Sequence, residues 1–321
     1  MKKILITGAA GFIGFHLGSL LLKNGYKVVG IDSIEESYGK QIKKHRILNL
    51  KKNRNFKFYK SSINKIEKIK EKVDLIIHLA AEAGVRKSLL NPYFYIDQNI
   101  NQTIRVFEYA KKNNIKKIFY ASSSSVYGNN NLYPSHEKMK ITKPLSIYGI
   151  TKIASENIAY YYKQIFNINS YGLRFFTVYG PFGRPDMSIF IFFKNILLNK
   201  TIYLNNFGKN LRDYTYVEDV TDFIFKLINK SKKQKNFYDI FNIGGKKNIS
   251  LLNVIKLIEK ITNKKAKLKL VKKNKLDPFN SLASMNKLEK FVKFKKSTKI
   301  EKGLKITFNW IKDYLKFHKS S

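Results

Sequence analysis

Tyr148 and Lys152 stand four residues apart in Tyr148-Gly149-Ile150-Thr151-Lys152, so on a helix they share one face. An ammonium beside a phenol favours phenolate and lowers a pKa that starts near ~10. A tyrosine tuned in this way is a general base for neutral pH. Upstream, the apolar run Ile118-Phe119-Tyr120-Ala121 leads into Ser122-Ser123-Ser124-Ser125-Val126-Tyr127-Gly128. Serines at a strand end can offer a hydroxyl to the same substrate oxygen. Tyr-x-x-x-Lys alone is a weak signal in a chain with 20 tyrosines. Together with the serine run it is strong.

A second constellation opens the chain. Lys2-Lys3-Ile4-Leu5-Ile6-Thr7 reads as a short buried strand, and Gly8-Ala9-Ala10-Gly11-Phe12-Ile13-Gly14 follows at once, with an apolar helix through Leu22. The G-x-x-G-x-x-G spacing permits a tight turn, lets backbone N–H groups approach a pyrophosphate, and packs helix closely on strand. The next strand ends at Asp32, 24 residues after Gly8. A carboxylate there suits both hydroxyls of an adenosine ribose and repels a 2′-phosphate. NAD is therefore expected rather than NADP, held by Gly8, Gly11, Phe12, Ile13, Gly14 and Asp32.

These elements sit in a chain of 321 residues, 44% hydrophobic and 14% aromatic, which can bury a full core and form two lobes. The absence of cysteine excludes disulfides, zinc–thiolate sites and a cysteine nucleophile. No metal site is expected. The first residues read directly as a strand rather than a leader, and no apolar run reaches the roughly 18 residues of a membrane span. A cytoplasmic protein without membrane contact is the expectation. The net charge of +40 raises the alternative of a nucleic-acid binder. Only seven of the 62 basic residues are arginine, however, and arginine is the better bidentate reader of guanine and phosphate. Lysines scattered over solvated faces predict nonspecific adhesion at low salt and no specific nucleic-acid partner.

Apolar and amphipathic stretches alternate through the first half. Strands are expected at 3–7, 27–31, 56–60, 73–79, 116–122 and 169–176, and helices at 12–24, 40–51, 63–71, 92–113 and 148–167. This alternation predicts a doubly wound, Rossmann-type parallel α/β sheet of about seven strands, covered on both faces. After Tyr179-Gly180-Pro181 the regularity breaks. Helices at 187–199, 217–230, 250–262, 284–292 and 300–317 and strands at 201–204, 238–243 and 266–271 are expected beyond it. The simplest division assigns 1–177 plus 214–243 to an NAD-binding domain. A smaller α/β lobe of 178–213 plus 244–321 would then cover the carboxyl ends of the sheet.

The motifs resemble the extended short-chain dehydrogenase/reductase superfamily and, within it, the nucleotide-sugar 4-epimerases of the UDP-glucuronate type. The segments that carry the likeness are Gly8–His16, His78–Ser88, Ala121–Gly128, Tyr148–Lys152, Leu173–Met187 and Gly208–Asp219. The likeness runs to about residue 260 and thins beyond. It implies that Ser123, Tyr148 and Lys152 are catalytic, with Tyr148 taking the C4-hydroxyl proton and Ser123 relaying or assisting. Tyr148 and Lys152 would also contact NAD, as would Leu79, Ala80, Ala81 and Asn99. Arg86, Ser124, Ser125, Thr177, Arg184 and Arg212 would bind the substrate. The implied reaction interconverts UDP-glucuronate and UDP-galacturonate through a transient 4-keto sugar, for surface polysaccharide synthesis. A homodimer is implied, formed through helices near 92–113 and 148–165.

Residue chemistry separates this reading from relatives. Dehydratases of the group carry Asp-Glu, and the decarboxylases a glutamate, where this chain has Ser124 and Ser125. Neutral hydroxyls hydrogen-bond a substrate carboxylate, whereas a glutamate repels it. An epimerase acting on a neutral UDP-sugar remains the alternative. Arg212 matches a position gripping the diphosphate and Arg184 one facing the sugar carboxylate, while Arg174 fits a structural ion pair equally well. Thr177 is open between a substrate contact and strand-end packing. His16 and His78 read as structural. Three departures stand out: Ser61-Ser62 replaces Gly-Asp, Glu82 replaces glutamine, and Leu276-Asp277-Pro278…Ala283-Ser284 replaces a Gly-Asp-Val…Ala-Asp signature.

Overall fold

In a computed structural model, described over residues 2–35, 38–129, 132–141, 143–272 and 278–317, the alternating segments become twelve strands. They are β1 Lys3–Thr7, β2 Lys27–Asp32, β3 Phe56–Lys60, β4 Leu75–His78, β5 Lys117–Ser123, β6 Asn169–Phe175, β7 Thr177–Tyr179, β8 Thr201–Asn205, β9 Leu211–Tyr216, β10 Tyr238–Ile243, β11 Asn248–Ser250 and β12 Lys267–Val271. Seven form one parallel sheet in the order β10-β6-β5-β4-β1-β2-β3. Every residue of β4 and β6 is buried, as a strand covered on both faces requires. The order reverses between β1 and β4, whose last residues Thr7 and His78 are register partners. The crevice beyond such a reversal is where open α/β sheets bind ligands.

Two helices differ from expectation. The 63–71 segment forms only a 3₁₀ turn, Ile63–Lys68, with a non-helical break at Lys65. The 92–113 segment is Pro92–Ile96 and Gln102–Lys112 joined through a π turn, Asp97–Asn101, and Val85–Leu90 forms a further short helix before it. Three strands also escape a sequence reading. β7, β9 and β11 pair in a separate sheet, with β7 parallel and β11 antiparallel to β9. β7 and β11 have three residues each, too few to show a period, and their partners lie far away in sequence.

A second core gathers Phe190, Phe193 and Ile196 with Val254, Ile258, Leu304 and Ile311, from helices Ser188–Leu197, Leu251–Thr262 and Ile300–Phe317. Tyr214 and Tyr216 of β9 belong to the same core, so a boundary at 213/214 would cut that strand. We propose the two-lobe division with β9 wholly in the smaller lobe; limited proteolysis that cuts within β9 first would refute it. Among the described residues no helix is long and apolar enough to cross a membrane.

His78 ends β4 with its ring between two threonines, Nδ1 at 2.7 Å from Thr7 Oγ1 and Nε2 at 3.2 Å from Thr103 Oγ1. Burial first, and then the Lys152 charge, pull its pKa down to about 3. The folded state thus binds fewer protons than the unfolded chain below the ordinary histidine value of ~6.5. The stability of this arrangement is complete above that pH and is lost as pH falls from ~6.5 toward 3, by on the order of 3–5 kcal/mol. Melting curves should show a steep fall in Tm across this window, and His78→Gln should flatten it. A variant curve parallel to the wild type would contradict the assignment.

Candidate active site

The glycine-rich segment forms a cradle because side chains have no room there. Gly8 has φ +72°, and a Cβ on it would lie 2.7 Å from the Ala80 nitrogen. A Cβ on Gly14 would lie 2.2 Å from the Gly8 carbonyl oxygen. Strand end, turn and helix Phe12–Lys23 therefore meet backbone to backbone, leaving the first-turn N–H groups of that helix aimed outward. Asp32 stands at the rim, accepting from Ala10 N at 3.1 Å and Ile34 N at 2.9 Å. A cavity of about 570 Å³ runs past Gly8, Gly11 and Asp32 to Ser61, Ser62 and Leu79–Glu82. Its shape, its backbone donors and the Asp32 carboxylate at the end of β2 fit a dinucleotide without a 2′-phosphate.

The catalytic set converges at the adjoining strand end. Helix Ile147–Phe166 begins at Ser146, whose side chain accepts from Gly149 N, and it carries Tyr148 and Lys152 on one face. The Ser123 hydroxyl, at the last residue of β5, donates to Ser125 Oγ at 3.2 Å, accepts from Ser125 N at 3.1 Å, and lies close enough to the Tyr148 phenol to lower its pKa. Lys152 Nζ donates to Ala121 O at 3.0 Å and lies 5.8 Å from the Tyr148 ring centre. The expected direction of the Tyr148 pKa is not what this geometry gives. Burial raises it, more than the Ser123 hydroxyl and the Arg184 charge lower it. Lys152 spends its ammonium on a backbone carbonyl, and burial pulls its own pKa down to about 8 against the Glu156 carboxylate.

Asn99 is placed differently from the other cofactor candidates. It is buried in the π turn, where it accepts from Glu82 N and donates to Glu82 O and Thr151 Oγ1. It therefore pins the loop after β4 rather than facing the cavity. Glu82 does line the cavity, and burial raises its pKa against the pull of Arg184, Lys87 and Lys43.

The substrate candidates divide between two smaller cavities. Ser124 and Ser125 line one with Val85, Tyr127, Tyr133 and Phe176, and among the described residues it carries no acidic side chain. Thr177 and Arg184 line the other. Arg184 forks onto Asp186 through Nε at 3.0 Å and Nη2 at 2.8 Å, and Nη2 also reaches Ala83 O at 3.3 Å. Arg86 lies on the exposed side of helix Val85–Leu90 rather than on a loop, and Val85 is the residue that faces Ser124 and Ser125. Arg212 sits on β9 and its charge acts on Tyr133 and Tyr214. The altered late signature lies partly outside the described residues, at 276 and 277. Its remainder is fastened by Asp213, which accepts from Ala283 N, and by Ser135, which bonds Leu282 and Ser284.

Sequence reading missed the buried support behind this site. Glu156 accepts from Arg174 Nε at 2.8 Å and Nη2 at 2.7 Å and from Ser122 Oγ at 2.6 Å. Arg174 Nη1 continues to the Tyr127 hydroxyl, which donates to Asn242 Oδ1. Arg174 is thus structural. The one available signal for Glu156 was its place one helical turn after Lys152.

A profile of the NAD dependent epimerase/dehydratase family matches residues 4–244, and the chain belongs to that family. It is 39% identical to a UDP-glucuronate 4-epimerase of Thermodesulfobacterium geofontis over 100% of this chain and 99% of that one. A solved structure of UDP-glucuronic acid 4-epimerase from Bacillus cereus, in complex with UDP-glucuronic acid and NAD, superposes with a TM-score of 0.92 at 34% identity, covering 97% of this chain and 99% of that one. A UDP-glucose 4-epimerase from Thermotoga maritima, with UDP-glucose, gives a TM-score of 0.87 at 30% identity, covering 98% and 99%.

Proposed function

We propose that the protein is an NAD-dependent isomerase that interconverts UDP-glucuronate and UDP-galacturonate at C4. The observation that carries the substrate assignment is the hydroxyl-lined cavity at the start of the Tyr148 helix, which holds Ser124, Ser125 and Ser146 and no acidic side chain among the described residues. A hexuronate carboxylate is hydrogen-bonded there without repulsion. The likeness to the glucuronate-type enzyme supports the same choice over a neutral sugar.

NAD, which the Gly8–Gly14 cradle and Asp32 would hold, would supply hydride acceptance and return at C4 and a positive charge that favours phenolate at Tyr148. The chain's own residues do the rest. Tyr148 takes the C4-hydroxyl proton, directly or through Ser123, whose hydroxyl lies near enough to the phenol to act on its pKa. Glu156, locked by Arg174 and Ser122, favours the charged form of Lys152 so that an ammonium remains beside the reacting groups. Ser124 and Ser125 are assigned to the carboxylate from one cavity, and Thr177 and Arg184 from the other. Holding it restrains loss of CO₂ from the 4-keto intermediate, which is a β-keto acid. Arg212 is assigned to the diphosphate.

We also propose a cytoplasmic homodimer. Tyr93, Ile96 and Ile104 on the helices of 92–112, and Ile150, Tyr161 and Ile165 on helix Ile147–Phe166, leave apolar side chains exposed on the two elements expected to meet a second copy. Light scattering at micromolar concentration should give twice the 37.5 kDa chain mass, and a monomer would refute the dimer.

Tyr148→Phe keeps the ring's packing but removes the proton acceptor. Turnover of UDP-glucuronate should collapse while NAD stays bound. Ser123→Ala should slow turnover by about 10²–10⁴-fold, the range of a positioned acid–base group. If Ser123 only caps the 3₁₀ turn that follows it, Tm drops slightly and turnover per folded molecule is unchanged. Rate and Tm measured on one preparation decide between these.

A further inference from the structure

Arg46 belongs to none of the motifs, yet it is the largest fully buried side chain among the described residues. It lies on helix Lys40–Lys51, behind the glycine-rich cradle. Nη1 donates to the Ala10 carbonyl and to the Tyr38 hydroxyl, both at 2.8 Å, and Nη2 donates to the Phe182 carbonyl at 2.5 Å. All three acceptors are uncharged, and Nε has no hydrogen-bond partner among the described residues. Asp32 acts on the guanidinium only through space, and burial lowers its pKa. A buried charge without a paired carboxylate is costly. A chain that has lysine at nearly every other basic position holds an arginine here, where only a planar fork reaches carbonyls on two separate loops.

The second loop is Gly180–Arg184. His16 Nε2–H donates to the Pro181 carbonyl at 2.8 Å, one residue before the carbonyl that Arg46 holds. Phe182 is in the left-handed region at φ +54°, a conformation that a bulky residue keeps only when its surroundings impose it. Its ring is enclosed by Phe15 at 4.8 Å and Trp310 at 5.2 Å. Two residues on, Arg184 turns toward Ala83 and the sugar-side cavity. Cradle and Arg184 are thus joined through one guanidinium.

We propose that Arg46 is a positioning residue that couples the cradle to the placement of Arg184, so that a bound dinucleotide tightens the grip on the hexuronate. The inference rests on the functional reading above, because it takes Arg184 as the carboxylate's partner. Lysine at 46 keeps the charge but cannot span both carbonyls.

Calorimetric titration of UDP-glucuronate and of UDP, with and without NAD, tests the coupling. In the wild type NAD should tighten UDP-glucuronate about tenfold, a typical coupling between sites. In Arg46→Lys that gain should shrink to about twofold or less, with UDP binding to the NAD-free protein unchanged. No NAD dependence in the wild type, or a coupling that Arg46→Lys leaves intact, overturns the proposal. Equal loss of UDP binding marks a merely structural role and overturns it too. If Arg46→Lys does not fold, His16→Asn releases Pro181 alone and should reduce the coupling partially; undiminished coupling there overturns it. A wild type that binds UDP but not UDP-glucuronate refutes the functional reading itself.

Discussion

The buried ammonium of Lys152 is the constraint around which the carboxyl end of the sheet is arranged. An ammonium removed from water must find acceptors and a counter-charge, or lose its proton. Ala121 O supplies the acceptor at 3.0 Å, and Glu156 supplies the charge through space. Glu156 is in turn buried and satisfied by Arg174 and Ser122. The same ammonium helps keep His78 neutral, which lets that ring bridge β4 to Thr7 and Thr103. One charge therefore ties together β1, β4, β5, β6 and the helix that carries Tyr148.

Burial in the same region also acts on Tyr148. Burial raises the pKa of its phenol, and the Ser123 hydroxyl and the Arg184 charge only partly oppose that. The hydroxyl-lined cavity at the start of its helix and the Gly180–Arg184 loop decide what is presented to it.

Local order made much of this legible in the sequence. Strand-end Gly8, Asp32 and Ser123 and the Tyr148–Lys152 pair each sit within a few residues of the element that positions them, so spacing sufficed. The β-α alternation likewise yielded the seven-stranded parallel sheet. What escaped depends on distant partners. Arg46 acts on residues 10 and 182, and β9 pairs with residues 177–179 and 248–250. The π turn that sends Asn99 to Glu82 is a backbone detail without a periodic signature. A helical face reports proximity but not burial, so the upward pull of burial on the Tyr148 phenol has no signal in the Tyr148–Lys152 spacing.

A closed redox cycle at C4 of a hexuronate is what the cradle, Tyr148 and the two smaller cavities are proposed to support together. UDP-glucuronate deuterated at C4, incubated with the protein and followed by NMR, tests it directly. The account predicts UDP-galacturonate with the deuterium retained at C4 and no loss of CO₂. Loss of the label to water, a decarboxylated pentose product, or conversion of UDP-glucose in place of UDP-glucuronate would contradict it.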